Sequence, residues 1–226
     1  MLLFKALLLT CLAQAGIPAE KVPPPPTFHD KTLGFSLAFP PAWLSRDQLP
    51  EDVKKRTQLT ASKLSTAQAA QVEALGIYLR EPFPAHAQLT SLRIDLIDDP
   101  SVASLDPVTL AQAALLNIKK GDPGARLLEA PRLLKVDGHE GSTFSVENAS
   151  VYVKTLDQSG ITRARLWFFP FDGRWLKVNF STAKEEWDSL AQDLEKLEKG
   201  MHFDAPAIPE AKKGADDILD GLKAFK

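Results

Sequence analysis

Residues 161–180 have the sequence ITRARLWFFPFDGRWLKVNF, in which two strand-forming runs are joined by Asp172-Gly173. An Asp-Gly pair between two such runs is typical of a tight β-hairpin turn. Residues 166–169 are apolar at every position, which predicts a central strand covered on both faces. Residues 175–180 alternate between apolar and polar, which predicts a strand with one buried and one wetter face.

The same pattern extends upstream of this hairpin. Asp137-Gly138 and Ser159-Gly160 are further hairpin dipeptides, so residues 127–179 are predicted to form an antiparallel meander. Residues 89–97 alternate in the same way, and residues 77–80 form a short apolar run, which adds two strands. The chain is therefore predicted to be built around one antiparallel sheet.

Two helices have clear end signals. Asp106 as N-cap, Pro107 at the first helical position and Gly121 at the far end predict a helix over this span. A second helix is predicted to begin at Thr182, where a capping box with Glu185 precedes an apolar stripe, and to run to Gly200. Both helices are expected to lie against the sheet.

The N-terminal part of the folded region is predicted to be a hairpin followed by an insertion. Residues 27–30 and 35–39 form two short strands around Gly34, and the prolines that follow end the second strand. Residues 44–75 are polar and rich in alanine, with Ser65 and Gln68 as a capping box before residues 69–75, which predicts a helical insertion. Residues 201–203 are predicted to return briefly to the sheet.

The chain begins with a segment typical of an export signal. Lys5 is followed by an apolar run, and Ala13-Gln14-Ala15 places small residues at cleavage spacing, so residues 1–15 are predicted to be a signal peptide. The apolar run is too short for a transmembrane span, which needs about 20 residues. Cys11, the only cysteine, lies inside this segment and offers an alternative, because lipidation there would anchor the chain to a membrane.

The remaining boundaries follow from composition. Residues 16–26 form a proline-rich spacer, residues 27–203 the folded domain, and residues 204–226 a linker with a short amphipathic helix. Once the signal is removed no thiol is left, which suits an oxidising compartment and excludes cysteine catalysis. The net charge of −2 over 226 residues lacks the basic excess of a nucleic-acid binder. The expected location is the periplasm or the exterior.

Three stretches resemble the PsbP-like superfamily, which includes exported bacterial relatives of unknown function. They are F-x-D-x-x-x-G-F-S-L-A-F-P-x-x-W at 28–43, V-D-G-H-E-G at 136–141 and G-R-W-L-K-V-N-F at 173–180. The resemblance covers about residues 27–203. It implies an α+β fold, an antiparallel sheet with helices on both faces in an α/β/α sandwich, and a role in binding, assembly or chaperoning without catalysis. No functional residue is carried over, because the insertion at 44–75 and the tail are additional here.

The sequence contains no G-x-S-x-G, H-E-x-x-H, P-loop or dinucleotide motif, and no cofactor or metal site is predicted. Two constellations leave an enzyme open as the alternative. His139 with Glu140 could act as an acid/base pair, although an exposed hairpin tip is the simpler interpretation. Asp95, Asp98 and Asp99 could bind a hard cation, although a solvated strand end before Pro100 explains them as well.

Two features favour binding of a partner. Trp175 lies on the wetter side of its strand with Lys177 and Asn179, so an exposed Trp175 would be a contact residue. The tail helix carries one apolar face, which is too small to be stable alone and must dock on its own domain or on a partner. The residues of that face are Ile218, Leu219, Leu222 and Phe225.

The predicted function is thus an exported, non-enzymatic binding, assembly or chaperone-like module, with an unidentified envelope protein as the possible partner. The alternatives are a hydrolase with an unrecognised site and a carrier of a small apolar ligand. A carrier would use the aromatic residues of 167–175 to line a cavity of about 300 Å³ or more.

Overall fold

A computed structural model describes residues 24–55, 72–84, 88–149 and 160–204. Ten strands and two longer α-helices account for most of these residues. The strands are β1 Thr27–Asp30, β2 Phe35–Ala38, β3 Trp43–Ser45, β4 Val72–Arg80, β5 Ser91–Ile97, β6 Arg126–Val136, β7 His139–Ala149, β8 Ile161–Phe171, β9 Arg174–Ala183 and β10 Met201–Phe203. The helices are α1 Pro107–Gly121 and α2 Ala191–Lys199.

The main sheet has seven strands in the order β3-β4-β5-β9-β8-β7-β6, and every neighbouring pair is antiparallel. Strands β6 to β9 are the predicted meander. Its tight turns place Asp137 and Asp172 at positive φ together with the glycines that follow them. Such turns need two residues in the left-handed region, which Asp-Gly supplies at low cost. The hairpin prediction is confirmed at both turns.

A second, three-stranded sheet has the order β1-β2-β10. The predicted N-terminal hairpin supplies two of its strands, and the predicted return at residues 201–203 supplies the third. Phe203 lies opposite Phe35 across the β2 to β10 pair, and the Asp204 amide donates to the Gly34 carbonyl at 2.7 Å. The first and last described segments of the domain thus close one small sheet.

The two faces of the main sheet are covered differently. One face, called the inner face, carries Leu92, Trp167 and Val178 and packs against the small sheet and α2 in one apolar core. The other, called the helix face, carries Phe144, Phe168 and Trp175 and packs against α1. A third, smaller cluster joins residues 46–55 to β3 and β4; its buried members are Leu49, Val53 and Leu79.

The helix α1 begins and ends where the sequence predicts. The Asp106 carboxylate accepts from the Val108 and Thr109 amides at 3.1 and 3.0 Å, which satisfies two of the free N–H groups of the first turn. The hydroxyl of Thr109 also donates to the same carboxylate, and these bonds hold the pKa of Asp106 below its usual value. Leu110 and Ala111 are buried against the sheet.

The structure corrects two predicted elements. Residues 72–75, predicted to end a helix, are the start of β4, because pairing with β5 outweighs local helix preference. Thr182 does not begin a helix but remains in β9, and α2 starts only at Ala191 after two 3₁₀ turns. Residues 56–71 of the predicted insertion, including Ser65 and Gln68, lie outside the described residues.

The predicted α+β class is confirmed, since mostly antiparallel strands combine with few helices. The predicted α/β/α sandwich, with helices covering both faces of the sheet, is not shown. On the inner face the cover is the three-stranded sheet as well as α2, with Phe35 and Leu37 in the same core as Leu194 and Leu197. The short strands at the two ends of the domain gave no sign that they would form a separate sheet.

Candidate functional site

The inner face changes from apolar to charged along β8. Trp167 and Phe169 lie in the core, whereas Arg163 and Arg165, four and two residues before Trp167, lie on the same face beyond the edge of the core. Across the β7 to β8 pair these arginines face Glu147 and Ser145. We call the charged region the ionic patch; it comprises Arg126, Glu129, Arg132, Glu147, Arg163, Arg165, Lys184, Asp188 and Glu198.

Glu147 is at the centre of one half of the ionic patch. Its carboxylate accepts from Nε of Arg163 at 3.0 Å, and the Lys184 ammonium and Nη1 of Arg126 each lie 3.5 Å away. The carboxylate is only 5% exposed because these long side chains lie over it. The hydrogen bond from Arg163, assisted by the charge of Lys184, holds the pKa of Glu147 below its usual value, although burial acts to raise it.

Arg165 is at the centre of the other half. Its Nε donates to the Ser145 hydroxyl at 3.0 Å and its Nη2 donates to Glu129. Glu198, on α2, lies 3.7 Å from Nη1 of Arg165 and accepts from the Trp167 indole at 3.3 Å. Glu198 thereby joins Trp167, in the apolar core, to Arg165, in the ionic patch. Both arginines are fixed by bonds on more than one side.

The outer members of the ionic patch are open to solvent while the inner ones are held. Arg126 and Arg132 are 73% and 50% exposed, against 19% and 15% for Arg163 and Arg165. A guanidinium that is already oriented loses little side-chain entropy when a partner binds to it. The arrangement can therefore present oriented charges to a ligand.

The structure separates His139 from Glu140. The two are neighbours in β7, so their side chains point to opposite sides of the strand. The His139 ring stacks on Phe203 with centroids 4.4 Å apart, its Nε2 is buried without a hydrogen-bond partner, and Glu140 is exposed. They cannot act on one substrate atom as an acid/base pair. The interpretation of His139 as an exposed hairpin tip is also wrong, because that side chain is partly buried.

Asp95 and Asp99, two of the three aspartates near the end of β5, have separate environments. Asp95 is 1% exposed and paired with Arg93 at 2.5 Å and Lys177 at 2.9 Å. Asp99 accepts from the amide and hydroxyl of Ser101, and this bonding lowers the pKa of Asp99. Within the described ranges no group of three or more His, Cys, Asp or Glu side chains could hold a metal ion.

Trp175 is buried, which contradicts its predicted exposure. It is 1% exposed, lies in the apolar cluster under α1, and donates from Nε1 to the Val102 carbonyl at 3.0 Å. This face of β9 is partly exposed from Lys177 onward, whereas the loop before α1 covers its first residue, Trp175. The prediction that Trp175 is a surface contact residue is therefore wrong for the folded domain. The other predicted contacts, Ile218, Leu219, Leu222 and Phe225, lie outside the described residues, as do Cys11 and the signal segment.

The aromatic residues of 167–175 fill the two apolar cores. Trp167 and Phe169 pack on the inner face, and Phe168 packs on the helix face. An open cleft of about 150 Å³ lies elsewhere, lined by Asp30, Thr32, Leu33, Glu73, Leu75, Leu96 and Arg174. It holds none of the predicted aromatics, and its size is below the range typical of small-molecule sites. The geometry gives the carrier alternative no support.

The ionic patch was not predicted, although part of its signal is in the sequence. Arg163 and Arg165 alternate with apolar residues just before the all-apolar run, and Ser145 and Glu147 do the same in β7. Period-2 spacing assigns each pair to one face, but it cannot show that the two pairs are neighbours. That step requires the β7 to β8 register, and the contribution of Glu198 requires the packing of α2.

Comparison with solved structures gives several distant likenesses. LpqN of Mycobacterium tuberculosis, described as involved in cell envelope biogenesis, has 13% identity and a TM-score of 0.48 over 81% of this chain and 87% of that chain. The cyanobacterial PsbP of Synechocystis has 13% identity and a TM-score of 0.46 over 87% and 99%. The Ran-binding protein Mog1p of Saccharomyces cerevisiae has 13% identity and a TM-score of 0.41 over 79% and 95%.

A PsbP protein is thus among the structures similar to this chain, as the sequence resemblance predicts. At these identities and scores the likeness concerns shape and assigns no partner or activity. No family model matches the sequence, and no curated protein matches it. Among the described residues, no helix has the length and apolar character needed to cross a membrane.

Proposed function

We propose that this chain is an exported, non-enzymatic binding module that recognises an envelope protein through the ionic patch. The signal peptide predicted at residues 1–15 supports export. The single observation that carries the binding role is the pair of oriented arginines, Arg163 and Arg165, held beside exposed charges on one sheet face. Ile218, Leu219, Leu222 and Phe225 of the tail are proposed as additional, apolar contacts.

The charge balance of the ionic patch favours a protein over a polyanion. Its nine charged side chains comprise five cations and four carboxylates, so both signs are present in nearly equal number. A nucleic-acid surface would need a clear cationic excess. A protein surface with complementary charges of both signs fits such a mosaic, which acts on specificity and association rate.

Arginine is the appropriate residue for this task. It is enriched among the residues that dominate binding energy at protein interfaces, and its planar guanidinium forms paired hydrogen bonds with carboxylates. Trp167 joins the patch to the core, since its fully buried indole donates to Glu198. The patch therefore combines a rigid base with solvent-exposed charges at its rim.

The test is affinity capture from an envelope extract followed by binding measurement with the recovered protein. Reversing charge at the rim with Arg126→Glu and Arg132→Glu is expected to weaken binding at least tenfold, and more at low salt than at high salt. The matched control is Lys119→Glu with Lys120→Glu, which makes the same change of charge at the exposed end of α1.

A chain ending at residue 204 separates the contribution of the tail from that of the patch. Loss of binding in this truncation alone, with the rim variant unaffected, would reject the ionic patch as the recognition surface. Equal loss in the rim variant and in the lysine control would show that the interaction depends on net charge alone. Recovery of no specific protein would remove the basis of the proposed function.

A further inference from the structure

The open cleft of about 150 Å³ lies beside the turn between β1 and β2. That turn bounds it on one side, and the ends of β4, β5 and β9 bound it on the other. Its rim is charged, with two carboxylates, Asp30 and Glu73, and one cation, Arg174. Its floor is apolar and continuous with the core of the inner face; the floor residues are Leu33, Leu75 and Leu96.

The two carboxylates of the rim have acceptor capacity to spare. Oδ1 of Asp30 accepts from the Thr32 and Leu33 amides at 2.8 and 3.1 Å, which fixes this carboxylate at the edge of the cleft. Oδ2 of Asp30 and the Glu73 carboxylate make no hydrogen bond or ion pair with a described residue. The rim carries a net negative charge, so it can receive a cation.

The volume of the cleft corresponds to one aromatic ring. An apolar cavity of about 150 Å³ binds benzene, whereas sites for drug-sized molecules begin at about 300 Å³. Leu33 and Leu96 are only 6% and 4% exposed, so a ring placed against them would extend the core outward. The cleft is therefore too small for a typical small ligand and large enough for one phenyl side chain.

The chain leaves the described domain next to this cleft. The Asp204 amide donates to the Gly34 carbonyl at 2.7 Å, and Gly34 directly follows Leu33 of the cleft floor. The tail, residues 205–226, continues from this point. A segment of that length spans up to about 70 Å when extended, so each of its residues can reach the cleft. Covalent linkage also gives the tail a high effective concentration there.

Phe225 is the residue of the tail that fits the cleft in both size and charge. It is the only aromatic residue of 205–226, Lys223 and Lys226 flank it, and the nearest acidic residue, Asp220, is five positions away. Every other large apolar side chain of the tail has an acidic residue within two positions, which would bring like charge to the rim carboxylates. Those side chains are Ile208, Ile218, Leu219 and Leu222.

We infer that Phe225 docks in this cleft in the free chain. Its ring covers the leucine floor, and the two neighbouring lysines lie beside the two rim carboxylates. Burial of the ring removes apolar surface from water, and the opposite charges orient the segment. This docking concerns the chain alone and does not rest on the proposed binding of a partner through the ionic patch. A partner that takes up the tail must first displace Phe225.

The test is methyl NMR spectroscopy of the full chain without a partner. Nuclear Overhauser contacts are expected between the ring protons of Phe225 and the methyl groups of Leu33, Leu75 and Leu96. The same methyl signals are expected to shift in Phe225→Ala, because the ring current is lost. Ile208→Ala removes another large apolar side chain from the same tail and is the matched control, which should leave these signals unchanged.

The contribution of charge is tested separately. Glu73→Lys is expected to lower the ratio of docked to undocked chain, measured from the same methyl shifts, at least tenfold. Glu140→Lys makes the same change of charge at an exposed position of β7 and should leave the ratio unchanged. If Glu73→Lys fails to fold, added sodium chloride replaces it, since salt should screen the pairing and lower the ratio.

Several outcomes would overturn the inference. They are methyl shifts unchanged in Phe225→Ala, a wild-type ratio in Glu73→Lys, and contacts to the cleft from Leu222 in place of Phe225. Contacts that arise between two chains, in a mixture of labelled and unlabelled protein, would assign the cleft to a second copy and would also overturn it. Capture of a partner plays no part in these measurements, so their failure is distinguishable from failure of the proposed function.

Discussion

Replacing Glu147 with glutamine should destabilise the domain at neutral pH. The change keeps the size of the side chain and removes the charge on which Arg163, Lys184 and Arg126 converge. Those three cations would then face one another without an anion between them, with only Asp188, which is 94% exposed, near Arg163. The variant therefore measures what the ionic patch contributes to stability.

The expected cost follows from the burial and bonding of Glu147. A charge-assisted hydrogen bond contributes about 1.5–3 kcal/mol. The patch is covered by flexible side chains and not by deep core, so the larger cost of about 3–5 kcal/mol for breaking a fully buried pair does not apply. We therefore expect the free energy of unfolding to fall by about 1.5–3 kcal/mol, which lowers the melting temperature by roughly 3–12 °C for a chain of this size.

The pH dependence gives the sharper test. Since folding lowers the pKa of Glu147, its stabilisation is complete above the unfolded value of about 4.3 and is lost as the pH falls through the lower folded value. Urea unfolding at a series of pH values from 7 to 3 should show the gap between wild type and variant closing on acidification. Glu195→Gln, in an exposed pair with Lys199, is the control and should cost less than about 0.5 kcal/mol. A gap that is absent at pH 7, or that is the same at every pH, would refute this account.

Two further substitutions test the packing that positions both sites. Gly141→Ala should destabilise the domain by about 1–3 kcal/mol, because a Cβ there would lie 2.5 Å from the Phe168 carbonyl oxygen. Gly121→Ala meets open space and should be neutral or slightly stabilising. Equal unfolding midpoints for the two variants would contradict the predicted clash. Trp175→Phe should lower the free energy of unfolding in urea by about 1–3 kcal/mol, because it removes the hydrogen bond to Val102 and replaces the indole with a smaller ring. Partner binding should be unchanged. A binding defect without loss of stability would show that Trp175 is a contact residue after all.

Local signals in the sequence were sufficient where the structure is decided locally. The turns at Asp137 and Asp172 and the cap at Asp106 depend on neighbouring residues, and all three are in place. The helix predictions at Thr182 and at residues 72–75 were wrong for the opposite reason. Each has an acceptable helical pattern, but pairing with a neighbouring strand fixes more backbone hydrogen bonds than a helix end could.

The candidate sites were harder to predict, because alternation assigns a residue to a face and does not say what covers that face. Trp175 and Lys177 share the polar side of β9, yet one is buried under the loop before α1 and the other borders Asp95. The sequence shows Asp95 as part of an acidic cluster, and only the register with β9 shows that a lysine lies opposite it. Burial and cross-strand partners depend on the tertiary structure, so the sequence pattern alone does not reveal them.

The pairing of β10 with β2 has a consequence for how the chain acquires its shape. Phe203 inserts between Phe35 and Phe169, with ring centroids 5.0 Å from each, so the aromatic core of the domain lacks a member until the last strand has been synthesised. An emerging chain that has completed only β1 to β9 holds an unfilled core and an unpaired edge on β2. Such a chain is expected to close its small sheet only once β10, the last strand among the described residues, has been synthesised.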